Sequence, residues 1–357
     1  NLHVRLAYNS SIFAVSALYS MKFLLGQSLH TVNGFMALFL SISILDIMDS
    51  FQRKKFLLSD YVRIAAIYYL TLICDEIVSP ASDYAIMITI FYIVIKWAEA
   101  IEKKEKSIVP YALLCVGGVY AISLKLTAGL ILILLIKPAY MLIKEKRIKE
   151  IITYLSMGII VILPWIVRNV IISGYLVYPY PELDLFSFRW KIDAAVAALD
   201  AAEIKTWGRA LYNSTLVDLP INEWFGNWFY TTLSGTEKLI ILVDFVSIIM
   251  ALMIGIYVFI RKKWEHLDYL LVVLTILSSY VFWQLSAPLI RYGYAYTLLL
   301  IVLVFGFVKQ HIGFDKIVYY GIIIIGIIKF ILLLKYAYGY FYAGNYIWQK
   351  DYGKYET

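Results

Sequence analysis

Charged residues at the ends of long apolar segments are the residues in this sequence whose types and spacing could do chemistry. One acidic group follows the apolar run at 61–74 and consists of Asp75, Glu76 and Asp83. Carboxylates this close together could hold a divalent cation such as Mg²⁺ or Mn²⁺, bind the hydroxyls of a sugar, or act as a general base. The structural alternative is a solvated loop in which Asp83 caps the following helix.

Three basic residues stand at other ends of apolar segments. Lys125 lies in a very short connection, Arg168 follows Pro164 by one turn, and Arg291 comes soon after Pro288. Ionisable groups at membrane depth are costly, so each of these residues is a candidate for binding an anion, and arginine can grip phosphate with two parallel hydrogen bonds. In the alternative interpretation each side chain only extends its charge into the lipid headgroups.

Motifs of soluble enzymes are absent from the sequence. It contains no Gly-rich phosphate loop, no CxxC pair, no HExxH and no GxSxG, and its four histidines are scattered. Neither a histidine nor a cysteine metal site is predicted, and no cofactor is certain.

The composition indicates which elements must position these charges. The chain has 357 residues, of which 62% are hydrophobic and 16% charged, and its mean hydropathy is +0.77. A water-soluble protein of this size needs a charged exterior that this sequence cannot supply. Its apolar runs of roughly 20 residues match a hydrocarbon core of about 30 Å crossed by a helix. We therefore predict an all-α, polytopic membrane protein with about ten transmembrane helices. The predicted spans are 29–50, 61–74, 84–101, 108–123, 126–143, 151–172, 237–260, 268–287, 290–309 and 315–336.

The distribution of basic residues predicts the orientation of these spans. Lysines and arginines cluster in alternate loops, which the positive-inside rule assigns to the cytoplasm. These residues are Arg53, Lys54, Lys55, Lys96, Lys103, Lys104, Lys106, Lys144, Lys146, Arg147, Lys149, Arg261, Lys262, Lys263, Lys309 and Lys316. The acidic loop at 75–83 and the cations Lys125, Arg168 and Arg291 then share the outer face. Because topology accounts for the net charge of +7, no nucleic-acid partner is predicted.

Four segments follow from this pattern. They are a transmembrane bundle at 1–172, an external loop at 173–236, a second bundle at 237–336 and an external tail at 337–357. The short apolar stretch 11–26 could lie along the interface or form a partial helix. In the external loop we predict an Ala-rich helix at 190–211. The aromatic run 224–230 favours an interfacial belt over a wall for a sugar or lipid headgroup.

Several short motifs resemble those of GT-C-fold glycosyltransferases, such as the protein mannosyltransferases and the bacterial aminoarabinose transferase. The stretch around Lys125, Leu-Lys-Leu-Thr-Ala-Gly at 124–129, looks like their lysine-containing helix turn. Pro-Trp-Ile-Val-Arg-Asn at 164–169, followed by Ser-Gly at 173–174 and Tyr-Pro at 178–179, is similar to their arginine-containing helix end, and Arg-Tyr at 291–292 to a further motif. The opening residues 1–11 and Ser-Pro-Ala-Ser-Asp at 79–83 look closest to a little-characterised bacterial branch linked to cell-surface polysaccharides.

The resemblance implies transfer of a sugar from a polyprenyl-phosphate carrier to a glycan or lipid acceptor on the outer side of a bacterial plasma membrane. It covers residues 1 to about 305. Members of the family carry a catalytic acid in the first external loop. No carboxylate precedes Asp46 here, so we expect the sequence to be a piece of a longer protein whose principal acid lies upstream of Asn1. The residues that the resemblance implicates are Asp83, Asp75 and Glu76 as catalytic acids, Lys125, Arg168 and Arg291 on the donor phosphate, and His3, Arg5, Asn169, Tyr178, Trp228 and Tyr292 as lining residues.

Other functions fit parts of the same pattern. A polysaccharide polymerase or ligase shares the lipid-phosphate chemistry and differs in its acceptor. A transporter or lipid-linked-sugar flippase predicts charges near the bilayer midplane, whereas the candidate charges here stand at helix ends on one face. A purely structural membrane subunit would leave Lys125 and the acidic loop without partners.

Overall fold

The computed structural model describes residues 31–73, 76–77 and 81–312, together with scattered positions between 320 and 339. In the continuous part of these residues the regular elements are all helices, which agrees with the predicted all-α fold. The α-helices are α1 (Thr31–Leu45), α2 (Met48–Arg53), α3 (Leu58–Leu72), α4 (Ser82–Glu102), α5 (Ile108–Leu124), α6 (Ile136–Lys144), α7 (Ile148–Ser173), α8 (Ala194–Gly208), α9 (Ile221–Thr231), α10 (Gly235–Ile260), α11 (Leu267–Ser286) and α12 (Tyr294–Ile312). The 3₁₀ segments are Leu126–Leu135, Ser214–Leu216, Trp264–His266 and Ile290–Tyr292.

Six helical segments within the described residues are long and apolar enough to cross a membrane. They are Asn33–Arg53, Ser82–Glu102, Leu126–Lys144, Ile148–Ser173, Gly235–Ile260 and Trp264–Ser286. Two shorter apolar helices, Ile108–Leu124 and Tyr294–Lys309, coincide with further predicted spans. The count of about ten spans therefore stays a prediction, while a lipid environment for the six long helices is supported.

The burial pattern shows which surface faces lipid. Helix α4 is central, with 72% of its apolar window buried against its neighbours, whereas α7 has 11% and α10 has 22% buried. The outer faces of α7 and α10 expose large apolar side chains, among them Leu155, Ile160, Leu239 and Ile249. Water would disfavour such surfaces. They fit a hydrocarbon solvent, in which backbone groups must be satisfied inside each helix.

The span Leu126–Lys144 reaches across by changing helix type. Its first ten residues form a 3₁₀ helix and its last nine form α6. A 3₁₀ helix rises about 2.0 Å per residue and an α-helix about 1.5 Å, so the two parts together extend roughly 33 Å. The 3₁₀ part packs between α5 and α11, and the Tyr296 hydroxyl donates to the Thr127 carbonyl at 3.0 Å. The stretched helix therefore begins beside α12.

The external loop folds back onto the outer helix ends. The predicted Ala-rich helix is present as α8, and the Asp193 side chain accepts from the Ala195 amide at its start. Arg209 donates to the Leu285 carbonyl at 2.7 Å. The predicted aromatic belt needs correction, because Trp224 and Trp228 are 1% exposed. Four residues apart on α9, the two tryptophans share one helix face that packs into the main core.

We expect a substitution at Gly208 to loosen this docking. A Cβ added to Gly208 would lie 2.6 Å from the Ala287 Cα, a backbone atom that cannot move aside. Gly208→Ala should therefore lower the free energy of unfolding by about 1–3 kcal/mol, the usual cost of overpacking. Gly226→Ala on α9, where an added Cβ meets nothing within 4 Å, should be neutral or slightly stabilising. Thermal unfolding in detergent compares them, and equal effects would argue against the close contact.

Several predicted features lie outside the described residues. These are the stretch 11–26, His3 and Arg5, Asp75 and nearly all of the tail 337–357, while the predicted span 315–336 is described only at scattered positions.

Candidate functional site

Asp83 is the centre of a charged cluster at the predicted outer end of the bundle. It lies in the first turn of α4 and is 6% exposed. The Lys125 Nζ lies 2.5 Å from its Oδ1, and the Arg291 Nε lies 3.5 Å from its Oδ2. The capping alternative for Asp83 is wrong, because the N-cap residue of α4 is Ala81 and Asp83 lies inside the first turn. Instead the carboxylate holds two cations while the helix dipole favours its charge.

Backbone turns place both cations on Asp83. Lys125 ends α5 in an extended conformation, with its amide bonded to the Ala121 carbonyl at 3.0 Å, and the 3₁₀ helix starts at the next residue. Arg291 belongs to the 3₁₀ turn Ile290–Tyr292. The Trp228 indole donates to the Pro288 carbonyl at 2.7 Å and so anchors the chain before this turn to the external loop.

Tyr292 joins the two cations. The Lys125 Nζ lies 2.9 Å from the centroid of its ring, a cation–π contact. The Arg291 Nη2 donates to its hydroxyl at 3.1 Å. Burial alone would lower the pKa of Arg291, but Tyr292 and Asp83 raise it above the usual value. The cluster of Asp83, Lys125, Arg291 and Tyr292, which we call the cation pair site, therefore carries one net positive charge when Asp83 is ionised.

Two further carboxylates form an acidic side of this site. Glu76 accepts from the Tyr84 hydroxyl at 2.7 Å, and Glu237 accepts from the Tyr294 hydroxyl at 2.5 Å. Both carboxylates act electrostatically on Tyr294, which places them in the same region. The Tyr84 hydroxyl also lies within electrostatic reach of Asp83 and Arg291. The site thus has a cationic part and an acidic part with tyrosine hydroxyls between them.

Sequence reasoning missed three residues of this site, Glu237, Tyr84 and Tyr294. Glu237 occupies the third position of α10, where it and Ser234 form a capping box. The Ser-x-x-Glu spacing at 234–237 could have placed it at the outer end of a helix. No local signal could have revealed Tyr294, because its partner Glu237 lies 57 residues away in the chain, whereas Tyr84 bonds to Glu76, eight residues before it.

An apolar groove is lined in part by residues close in sequence to Lys125. It has a volume of about 510 Å³ and lies between α5, the 3₁₀ helix, α6 and α7. Its lining includes Ile122 and Leu126, which flank Lys125, and it continues to Leu142 and Ile151 near the predicted inner ends of α6 and α7. Exposed lining residues such as Leu155 show that its side is open. The groove can therefore take an alkyl chain from the surrounding lipid.

The other predicted site residues have different surroundings. The ion pairs of Asp83 in the described residues involve Lys125 and Arg291 and not Arg168, which lies on α7. Asn169 is buried and donates to the Leu176 carbonyl at 3.2 Å, and the buried Tyr178 donates to the Asp200 carboxylate. Trp228 donates to the Pro288 carbonyl, before the turn that carries Arg291. Their predicted roles on substrate stay predictions.

The described part of the chain does not form a metal site at the acidic loop. Within it, no three histidine, cysteine, aspartate or glutamate side chains lie together in a way that could hold a metal ion. Asp75, one of the three predicted carboxylates, lies outside that part.

Comparisons with known proteins give one match. Comparison with curated proteins found none, and comparison with solved structures found none. A family model described as "Domain of unknown function (DUF8201)" matches residues 1–298, which is more than half of the chain. The chain therefore belongs to the family of proteins with this domain of unknown function, DUF8201.

Proposed function

We propose that the protein is a membrane glycosyltransferase that takes a sugar from a polyprenyl-phosphate donor at the outer face of a bacterial plasma membrane. The observation that carries the proposal is the pairing of Lys125 and Arg291 on the single carboxylate of Asp83. Two cations on one anion leave a net positive charge at a helix end, where a phosphate can displace part of the Asp83 contact. Arg291 has 52% of its side chain exposed, so a headgroup can reach it.

The shape of the surroundings supports a lipid-borne phosphate over a soluble one. The lining of the apolar groove includes Leu126, the residue after Lys125, and Ile122, three residues before it, and the side of the groove is open. A polyprenyl chain in this groove would bring its phosphate to Lys125. Because the chain would come from lipid and not from water, the groove would orient the donor and contribute little hydrophobic free energy.

The proposed step is substitution at the anomeric carbon of the sugar. The bond between that carbon and the phosphate oxygen breaks, and a new bond forms to an acceptor hydroxyl oxygen. The departing phosphate keeps the electron pair and is stabilised by Lys125 and Arg291. A carboxylate takes the acceptor proton.

Among the described carboxylates, Glu76 suits this proton transfer better than Asp83. Both oxygens of Asp83 already face cations, whereas Glu76 is exposed and receives one hydrogen bond, from Tyr84. In this proposal Asp83 positions the cations, and Glu76 faces the acceptor.

A transfer assay tests the proposal. Purified protein in lipid nanodiscs receives a panel of polyprenyl-phosphate sugars and glycan or lipid acceptors. We expect acceptor-dependent consumption of one donor with release of polyprenyl phosphate. A growing glycan as the required acceptor would identify a polymerase or ligase. Movement of labelled donor across the bilayer of proteoliposomes without consumption would contradict transfer and identify a flippase.

One observation favours the alternative function of a lipid-linked-sugar flippase or transporter. A transporter predicts charges at membrane depth, and Asp244 lies within the apolar part of α10, six residues from Lys238.

A further inference from the structure

Asp244 is a carboxylate inside the most apolar candidate span of the described residues. Its helix, α10, has a mean hydropathy of 2.8 over its best window. Asp244 lies six positions after Lys238, the last charged residue at the predicted outer end of α10, which puts it roughly 9 Å into the apolar part of the helix. That depth is inside a hydrocarbon core of about 30 Å, in its outer half.

The carboxylate is buried without a hydrogen-bond partner. Asp244 is 0% exposed, and neither Oδ1 nor Oδ2 has a partner among the described residues. It belongs to the inward stripe of α10 with Ile241, Ser247 and Ala251, so it cannot reach the headgroups by extending outward. An ionised carboxylate left alone in such surroundings would cost many kcal/mol, whereas a protonated one costs far less.

Polar groups on α11 lead from Asp244 toward the outer face. The Tyr280 hydroxyl interacts electrostatically with Asp244. One helical turn nearer the outer end of α11, Gln284 is 8% exposed, and neither its Oε1 nor its Nε2 has a partner in the described structure. Buried polar side chains normally have partners, so these two unpartnered ones indicate that each meets a polar ligand such as water.

We propose that Asp244 is a proton-binding site in the membrane-embedded part of the bundle, and that it exchanges its proton with the outer face past Tyr280 and Gln284. The ligand is a proton with its hydrating water. This inference is independent of sugar transfer, because none of the three residues belongs to the cation pair site.

Other titratable groups on the elements packed against α10 are engaged elsewhere. On α12, Tyr294 bonds to Glu237, Tyr296 bonds to Thr127, and Lys309 lies over the Tyr61 ring. At the inner end, Glu265 pairs with Lys263 and lies next to His266. On α11 itself, Asp268 pairs with Lys137, and Tyr269 donates to the Leu303 carbonyl. Among the described residues of these elements, Tyr280 is therefore the titratable group that acts on Asp244.

Carbodiimide labelling tests the site. Dicyclohexylcarbodiimide partitions into apolar surroundings and adds to a carboxylic acid only when the acid carries its proton, so the adduct reports protonation. With the whole chain in nanodiscs at pH 7, mass spectrometry should find the adduct on Asp244, decreasing as the pH is raised. A water-soluble carbodiimide should label the exposed Glu76 and leave Asp244 unmodified. Asp244→Asn should remove the adduct and keep the melting temperature, because the amide resembles the neutral acid in size and charge.

Three results would overturn the inference. Asp244 free of adduct at every pH from 5 to 8 would mean that its carboxylate is ionised and paired. A large fall in the melting temperature of the Asp244→Asn protein would also mean that the Asp244 carboxylate is ionised and paired. Protection of Asp244 by sodium chloride, but not by choline chloride, would mean that a metal cation and not a proton is the ligand.

Discussion

Lys125→Ala is expected to lower the rate constant for sugar transfer by about 30- to 900-fold. Loss of one direct contact to the departing phosphate removes about 2–4 kcal/mol of transition-state stabilisation, and each 1.36 kcal/mol is a factor of ten. Because charge develops on the phosphate oxygen as the bond breaks, the effect should fall on kcat more than on KM. Initial rates with the donor identified in the transfer assay measure it.

Two controls separate this effect from misfolding. Lys125→Arg keeps the charge beside Asp83 and Tyr292 and should recover a substantial part of the rate. Lys149→Ala removes an exposed lysine from the predicted inner end of α7 and should leave the rate unchanged. A folded Lys125→Ala protein with full activity, as judged by its melting temperature, would refute the role of Lys125.

Asp60→Ala is expected to lower the free energy of unfolding by about 3–5 kcal/mol, the cost of breaking a buried ion pair from one side. Asp60 is 0% exposed. It accepts from Arg63 at 2.8 Å, from Arg53 at 2.9 Å and from the Leu57 amide at 2.8 Å. Without the carboxylate, the buried Arg63 guanidinium would keep Glu99 at 2.6 Å but lose its fully buried anion, and the Leu57 amide would lose its acceptor.

Asp46 offers a matched control for this prediction. It belongs to the same network but is half exposed, and its oxygen lies 3.6 Å from Arg63 and 3.7 Å from Lys96. An exposed, loosely paired carboxylate contributes about 0–1 kcal/mol, so Asp46→Ala should have little effect. Unfolding monitored in detergent micelles compares the two variants. If Asp60→Ala and Asp46→Ala differed by less than about 1 kcal/mol, the buried network would not stabilise the fold as expected.

Much of the helical architecture could be predicted, because apolar runs bounded by charges have a direct physical meaning in lipid. The predicted span 84–101 lies inside α4, and 237–260 lies inside α10. The type of each helix, α or 3₁₀, was harder to predict from the sequence. The residues after Lys125 are as apolar as any helix in the chain, and nothing in their order indicates a 3₁₀ segment of ten residues.

The candidate site could be predicted in part for the same reason. Positive loops in alternate positions place Lys125 and Arg291 on the face of Asp83, but they do not predict the distances. Those distances depend on how α4, α5 and the turn at 290–292 pack, which is a tertiary effect. The prediction for Trp224 and Trp228 was wrong for a related reason. Their aromatic run is typical of a membrane interface, but α9 packs onto the bundle and buries both side chains in the core.

Buried charges were the features that the pattern concealed. Asp244 is the one charged residue in the run 239–260, so it did not interrupt the predicted span. Arg63 falls within a short apolar segment, and its pairing with Asp60 and Glu99 becomes visible only when α3 and α4 are side by side. Burying a charged side chain is energetically costly, and its partners depend on how the helices pack, which local sequence patterns do not predict.

The most direct test of the phosphate site is the affinity of the protein for a lipid phosphate. Binding of polyprenyl phosphate and of uncharged polyprenol is measured on the same protein in nanodiscs of neutral lipid. The account predicts that the phosphate binds at least about tenfold more tightly, since charge-assisted hydrogen bonds to Lys125 and Arg291 contribute about 1.5–3 kcal/mol each. Arg291→Gln should remove most of this preference. Equal affinities for the phosphate and the alcohol would contradict the account.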